Sequence, residues 1–385
     1  MHTSKTEQLK NTLLGALTAD AAALGFHWIY DQQRIYDIAS LLPEFHTPSS
    51  ADYMGVPSYF AHSKKNSGDV SHYGEQTITL LHSLSDNQGV YSKAHYQNLF
   101  CEHFGYGGDY IGYIDRPMGD TLDNIRSNQL LVTKKANAIT FHGDEEQKQK
   151  LITLITNLVK QNTSSSAVAQ AGIENKDLPY AKKLFQVLKT LTDYHGADDE
   201  QLPAIAKLPA LAALYAGDNK LCQFTESAVR VTNNNDRAVA FGQVASKMIE
   251  TAILTQDVPN VIEAARQSAT PEILSLIDQA LNLRNKSTPE VTKQLGMSCN
   301  LEFGIPSVIH NLSKQDTFTE SIRQNIYAGG DSCGRSILLG AVLGNIYGVN
   351  EDNGIPQSWI EKLAQKEHIT HLLSQHQARK ADLEA

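Results

Sequence analysis

The chain gathers a carboxylate, a hydroxyl, a thiol and a guanidinium in one short stretch, Gly329-Gly330-Asp331-Ser332-Cys333-Gly334-Arg335. The two glycines permit backbone angles and close approaches that a side chain would forbid. Asp331 or Ser332 can cap the helix that follows. That helix is apolar around nearly its whole circumference (Ile337, Leu338, Leu339, Val342, Leu343, Ile346), as a core helix is. Free amides and the positive end of the helix dipole at such a terminus favour an anion, and they would favour the thiolate of Cys333, with Arg335 adding positive charge. The plainer alternative is a well-capped helix carrying an inert, buried cysteine. Cys299, in Gly296-Met297-Ser298-Cys299-Asn300, also precedes a helix. The two cysteines could share a site or exchange as a redox pair, or they could be unrelated.

Two further stretches carry polar and aromatic groups at helix ends. His27-Trp28-Ile29-Tyr30-Asp31 follows an early helix, and Ser71-His72-Tyr73-Gly74-Glu75-Gln76-Thr77 opens another. A carboxylate such as Glu75 is electrostatically welcome in a first turn of any protein. Gly330-Asp331-Ser332-Cys333-Gly334 formally fits the G-x-S-x-G nucleophile elbow. That elbow needs a strand before it and a sheet around it. Here Phe318–Tyr327 reads as a helix, so a serine hydrolase lacks its scaffold. Phosphate-loop, dinucleotide, HExxH and EF-hand patterns do not occur.

The elements that would position these groups are helical. Apolar periodicity marks helices over about 7–25, 71–84, 92–104, 145–161, 180–192, 203–216, 219–232, 235–254, 257–267, 271–284, 301–313, 317–327 and 332–347. Gly15, Ala19 and Ala23 leave one ridge of the first helix bare. Gly340 and Gly344 do the same on the late helix, so the two can pack closely. Pro43 to Asp69 is a long irregular connection, and the glycine- and proline-broken stretch 104–128 reads as a surface lid or loop rather than a strand pair. β-Alternation is nearly absent. The expected fold is all-α, a compact orthogonal helical bundle in a single domain spanning 1–385, with its core at about 10–350 and a polar helical tail at 351–385.

Hydrophobic residues make up 41% and charged residues 19% of the 385, which suits a packed globule. The net charge of −9 and the lack of any basic run disfavour nucleic acid as a partner. No apolar run approaches the roughly 20 residues that cross a bilayer, so no membrane is expected. Four widely spaced cysteines and no signal-peptide pattern point to the cytoplasm. Nothing in the chain indicates an oligomeric state.

Taken together, these stretches resemble the ADP-ribosylglycohydrolase family. Its three signatures are matched here by Ala19-Asp20-Ala21-Ala22-Ala23-Leu24-Gly25, by Gly74-Glu75-Gln76-Thr77 and by Gly329-Gly330-Asp331-Ser332-Cys333-Gly334. The Gly-Gly-Asp-Ser-Cys pattern, with His27-Trp28 and Tyr73-Gly74-Glu75-Gln76, looks most like the J-crystallin branch. The resemblance implies two magnesium ions held by the middle and late motifs. Gly74, Glu75, Gln76, Asp331, Cys333 and Gly334 stand at those positions, and magnesium wants hard oxygen ligands in near-octahedral geometry. No cofactor is therefore expected; if any ion binds, Asp331 and Glu75 would hold it. The resemblance further implies a hydrolase of an ADP-ribosyl or related ribosyl glycosidic bond, acting on a small-molecule or ADP-ribosylated substrate. In that reading Asp20 and Asp331 orient ribose hydroxyls, Ser332 and Arg335 hold phosphate, and Trp28 and Tyr73 stack on a base. Glu75 is general acid or base, Cys333 is nucleophile or ligand substitute, and His27, His72, Gln76 and Cys299 line the pocket. The alternatives are a thiol-dependent enzyme using Cys333 with His72 as base, and a non-catalytic nucleotide-sugar binder or crystallin-like structural protein.

Overall fold

The computed structural model describes residues 5–160, 164–189 and 196–384. Among them the architecture is all-α: the described residues form helices and a few isolated bridges, with no strand ladder. The first part of the chain runs through α1 (Lys5–Ala23), α2 (Gln32–Ala39), α3 (Ser50–Tyr53), α4 (His72–Asp86), α5 (Lys93–Phe104) and α6 (Arg116–Asn137). A satellite follows, made of α7 (Glu145–Lys160), α8 (Ser165–Gln170) and α9 (Leu178–Lys189). The main body continues with α10 (Leu208–Tyr215), α11 (Leu221–Thr232), α12 (Asp236–Thr255), α13 (Val258–Ser268), α14 (Pro271–Asn282), α15 (Thr288–Leu295), α16 (Leu301–Leu312), α17 (Phe318–Tyr327) and α18 (Ser332–Tyr347). The chain closes with α19 (Gln357–Lys362) and α20 (Lys366–Glu384).

The centre of the molecule is the pair α1 and α18, which meet along the bare ridges anticipated from the glycine spacing. A Cβ on Gly15 would lie 2.1 Å from the Gly340 carbonyl oxygen, and one on Gly344 would lie 2.4 Å from that of Asn11. Only glycine lets the two backbones approach this closely, and their approach brings Asp20 on α1 beside the start of α18. Helices α4, α10, α12 and α17 wrap this pair. The satellite has a small core of its own, built on Ile139, Leu151, Ile155, Leu184 and Phe185.

Several expectations change. The stretch 104–128 is irregular only as far as residue 115, and α6 takes up the rest. Asp115 caps α6, its side chain accepting from the Met118 amide, and Pro117 sits in the first turn where its missing amide costs nothing. Helices α2, α3, α8 and α15 were not anticipated, although the capping box Ser287–Glu290 and Pro289 mark the start of α15. The tail is less polar in its packing than in its composition: Trp359, Ile360, Leu363, Ile369, Leu372 and Leu373 join the main core.

Candidate functional site

Three separate segments are tied together where α18 begins. The Trp28 amide donates to the Gly330 carbonyl at 2.8 Å, the Gly330 amide to that of Ile29 at 2.7 Å, and the Asp331 amide to that of Met297 at 2.9 Å. Gly329 and Gly330 have φ of 69° and 61°, and a Cβ on Gly330 would lie 2.1 Å from the Met297 oxygen, so this turn requires glycine. Trp28 also holds a left-handed φ of 67°, a strained conformation for a bulky residue that these flanking bonds enforce.

Asp331 is the N-cap of α18, and it is completely buried. Its Oδ1 accepts from the Gly334 amide at 2.9 Å and from His27 Nε2 at 2.9 Å; its Oδ2 accepts from the Tyr73 hydroxyl at 2.5 Å. Burial pushes this carboxyl upward, but the charge and hydrogen bonds of His27, Tyr73 and Gly334 outweigh it and hold Asp331 below the usual range. His27 continues the chain, its Nδ1 lying 2.6 Å from Nε2 of His62. Burial lowers the affinity of both imidazoles for a second proton.

An aromatic wall closes over this chain. The His27 ring stacks on Trp28 at 4.1 Å and on His62 at 4.9 Å, and Tyr113 meets Trp28 edge-on at 5.1 Å. Tyr59 stands exposed at the rim, 5.7 Å from Trp28. His72 lies beneath Tyr113, its Nε2 3.1 Å from Asp115 Oδ2. The two are close enough to attract but not aligned to bond, so both atoms lack a hydrogen-bond partner.

Glu75 anchors a second, more accessible cluster. Its Oε1 takes Lys65 Nζ at 3.2 Å and Gln365 Nε2 at 3.1 Å, while Oε2 lies 3.3 Å from His103 Nε2. Burial would raise its pKa, but His103 and Lys65 overcome that and keep it low. His103 is raised in turn, because Glu75 and Asp109 outweigh its own partial burial. Glu75 follows Tyr73 by two positions on α4, roughly 200° around the helix, so the two side chains face different ways.

The structure brings Asp20, His27, Trp28, His72, Tyr73, Cys299, Asp331 and Cys333 into one neighbourhood, but several act otherwise than expected. The Cys333 thiol is fully buried, donating to the Asp20 backbone oxygen at 3.6 Å. Burial, and then the nearby Asp20 and Asp331 carboxylates, push its pKa well up, so the helix terminus does not produce a thiolate. The charge at that terminus is already answered by Asp331. Arg335 is drawn onto the protein's own backbone: Nε donates to Asn325 Oδ1 at 2.7 Å and one terminal nitrogen to the Gly329 oxygen at 2.5 Å, bracing the glycine turn, while the other terminal nitrogen is buried without a partner. Ser332 is buried, its amide bonded to the Gly330 oxygen and its hydroxyl unpartnered. Asp20 spends both oxygens on the amide and hydroxyl of Ser71, at 2.7 and 2.6 Å, and fastens the start of α4; burial raises it to about 6. Tyr73 holds Asp331 rather than offering a stacking face. Gln76 is sealed against Met118. Burial and the Asp331 charge raise Cys299 to about 12. Neither thiol is poised for exchange.

The donor set does not suit the magnesium pair that the resemblance implies. The oxygens of Asp331, Asp20 and Glu75 are engaged by protein donors, and the remaining positions offer a thiol, an amide and glycines. Among the described residues, no three His, Cys, Asp or Glu side chains are arranged to hold a metal ion.

Reading the sequence missed His62, His103, Asp115 and Lys207. Asp115 carries a signal, an Asp ahead of Arg-Pro at a helix start. His62 carries none, lying in an irregular segment. Lys207 is fully buried, its Nζ donating to the Pro203 oxygen at 2.8 Å and to Thr232, and burial lowers it to about 7.

Comparison with known proteins agrees with the fold. Crystallin J1A and crystallin J1B of Tripedalia cystophora are each 24% identical to this chain over 372 residues, covering 96% of it and 96% of theirs. A solved structure described as an ADP-ribosylglycohydrolase-related protein complex superposes with a TM-score of 0.58 at 13% identity, over 97% of each chain. The sequence profile of the ADP-ribosylglycohydrolase family matches residues 1–383, and the chain therefore belongs to the ADP-ribosylglycohydrolase family.

Proposed function

We propose that this protein hydrolyses a ribosyl glycosidic bond, ADP-ribosyl or a close relative, without the paired magnesium ions. Family membership supports a hydrolytic scaffold. The observation that carries the reading is the Asp331 carboxylate, held charged at the mouth of α18 by Tyr73 and His27 where the family resemblance implies a cation site. Glycoside cleavage passes through an oxocarbenium-like state, and a fixed negative charge beside the sugar stabilises the positive charge that develops at C1′. Water adds to C1′ and releases a proton to solvent, while the bond to the leaving group breaks with its electron pair. The leaving group takes a proton from the Glu75–His103 pair, in which Glu75 holds His103 protonated above the ordinary imidazole range. Tyr59 and Tyr113 cover Trp28, so substrate must displace them to reach Asp331.

A second reading, a non-catalytic binder or structural protein, is favoured by the sealed state of Asp331 and His27, both wholly buried, and by the similarity to two crystallins across nearly the whole chain. The thiol-dependent reading loses its basis with the buried, protonated Cys333. A panel of ADP-ribosyl N- and O-glycosides, assayed with and without EDTA, separates the remaining two. The hydrolase reading expects chelator-insensitive release of ADP-ribose that Asp331→Asn abolishes. ADP-ribose binding by calorimetry with no product after long incubation would establish the binder. Activity lost to EDTA and restored by magnesium would overturn the metal-free chemistry.

A further inference from the structure

Between the main body and the satellite lies a cleft of about 550 Å³, walled by α5, α6 and α7 and touched by Leu188 of α9. That is the size of a small-molecule site, and such sites favour the seams between packed units. The cleft shares no lining residue with the cluster around Asp331 or with that around Glu75. Two helices turn a matching face to the gap. Ile125, Asn128 and Val132 on α6, and Gln149, Ile152 and Thr156 on α7, recur at steps of three and then four residues, so each set forms one stripe. Stripes that interlock in a core are apolar throughout. Here each stripe mixes aliphatic side chains with a carboxamide or a hydroxyl, and the helices stand apart. Ile125, Ile152 and Leu188 are buried and give the cleft an apolar floor. Above it stand the carboxamides of Asn98, Asn128, Gln149 and Asn157, from three different helices, bonded to no described residue.

The chemistry of this lining selects its ligand. A carboxamide offers donors and an acceptor side by side. Asn and Gln read a purine in this way, pairing at once with the N6 donor and the N7 acceptor of adenine. An aliphatic floor suits the flat face of such a ring, whereas a polyol would set hydroxyls against it without partners. Among the described residues that line the cleft there is no Lys, Arg or His, so nothing answers a phosphate or a carboxylate, and the exposed Glu102 repels one. No aromatic ring lines it either, so a quaternary ammonium lacks its cage. We propose that this cleft binds a purine nucleobase, free or in an uncharged nucleoside, with its edge on the carboxamides of α6 and α7 and its face on Ile125 and Ile152. The site does not depend on the hydrolase reading.

Calorimetry on the full chain with adenine, adenosine, AMP and ribose tests it. Adenine and adenosine should bind, and AMP no more tightly than adenosine, since no cation lines the cleft. Asn128→Asp replaces the donating half of one carboxamide by an acceptor and should raise the adenosine Kd about tenfold or more, the worth of a bidentate pair. Thr153→Trp, at an exposed position on the α7 wall, should fill the cleft and abolish binding while the circular dichroism melt stays that of the wild type. No binding of adenine or adenosine at millimolar concentration overturns the proposal, and so does adenosine binding that Thr153→Trp leaves unchanged. An unchanged Kd in Asn128→Asp overturns the carboxamide readout. AMP binding more tightly than adenosine overturns the uncharged class, and ribose binding as tightly as adenosine overturns the base as the group recognised.

Discussion

Replacing Gly15 by alanine tests the packing that brings the site together. The added Cβ would lie 2.1 Å from the Gly340 oxygen and 3.0 Å from the Gly344 Cα, both backbone atoms of a buried helix. Ordinary contact begins near 3.4 Å, so α18 must retreat by about 1.3 Å. Neither partner is a flexible side chain that could turn aside. A gap of that order forfeits much of the dispersion across the pair, and overpacking of this kind costs up to about 3 kcal/mol. Alanine returns about 1 kcal/mol through helix propensity. The expected net loss is about 2 kcal/mol. Gly119 in α6 is the internal control: its Cβ would meet only an Ile114 methyl at 3.9 Å, so Gly119→Ala should be neutral or stabilise by up to about 1 kcal/mol. Urea unfolding followed by circular dichroism reads both: the Gly15→Ala midpoint should fall, and the Gly119→Ala midpoint should stay or rise. A Gly15→Ala midpoint at or above that of the wild type would refute the close-approach account of α1 and α18.

Two further outcomes follow from burial. A thiol reagent added to the native protein should modify the exposed Cys222 promptly and Cys333 only on unfolding; mass spectrometry finding Cys333 labelled at a similar rate would show that it is neither buried nor protonated as described. Lys207 has a folded pKa lowered to about 7 from an ordinary 10.5, so between those values the unfolded chain binds more protons and stability rises with pH. Lys207→Met should remove that rise, flattening the urea midpoint from about pH 7 to 10 relative to the wild type; parallel curves would mean that Lys207 is not titrating in the fold.

How much of this was legible beforehand differs from residue to residue. The helix from Ser71 and the one from Asp331 announce themselves by a capping side chain ahead of an apolar run, information that is local in the chain. The glycine ridges on α1 and α18 were likewise visible as spacing, and so was their pairing, because two bare ridges have few other uses. The 105–115 segment merged with α6 in the reading because its glycines and tyrosines hid the Asp115 cap. His62 gave no sign, since an irregular connection has no period and its partner His27 lies 35 residues away.

The linear sequence by itself determined the helical class, the family and the poor set of magnesium donors, because these depend on residue type and short-range spacing. Tertiary structure alone decided what each side chain does there. Burial turned Cys333 from a candidate nucleophile into a protonated core thiol, and it turned Arg335 and Asp20 inward to brace the turn and α4. Proton affinity and hydrogen-bond direction depend on which groups surround an atom in space, and those neighbours come from segments that the chain keeps far apart.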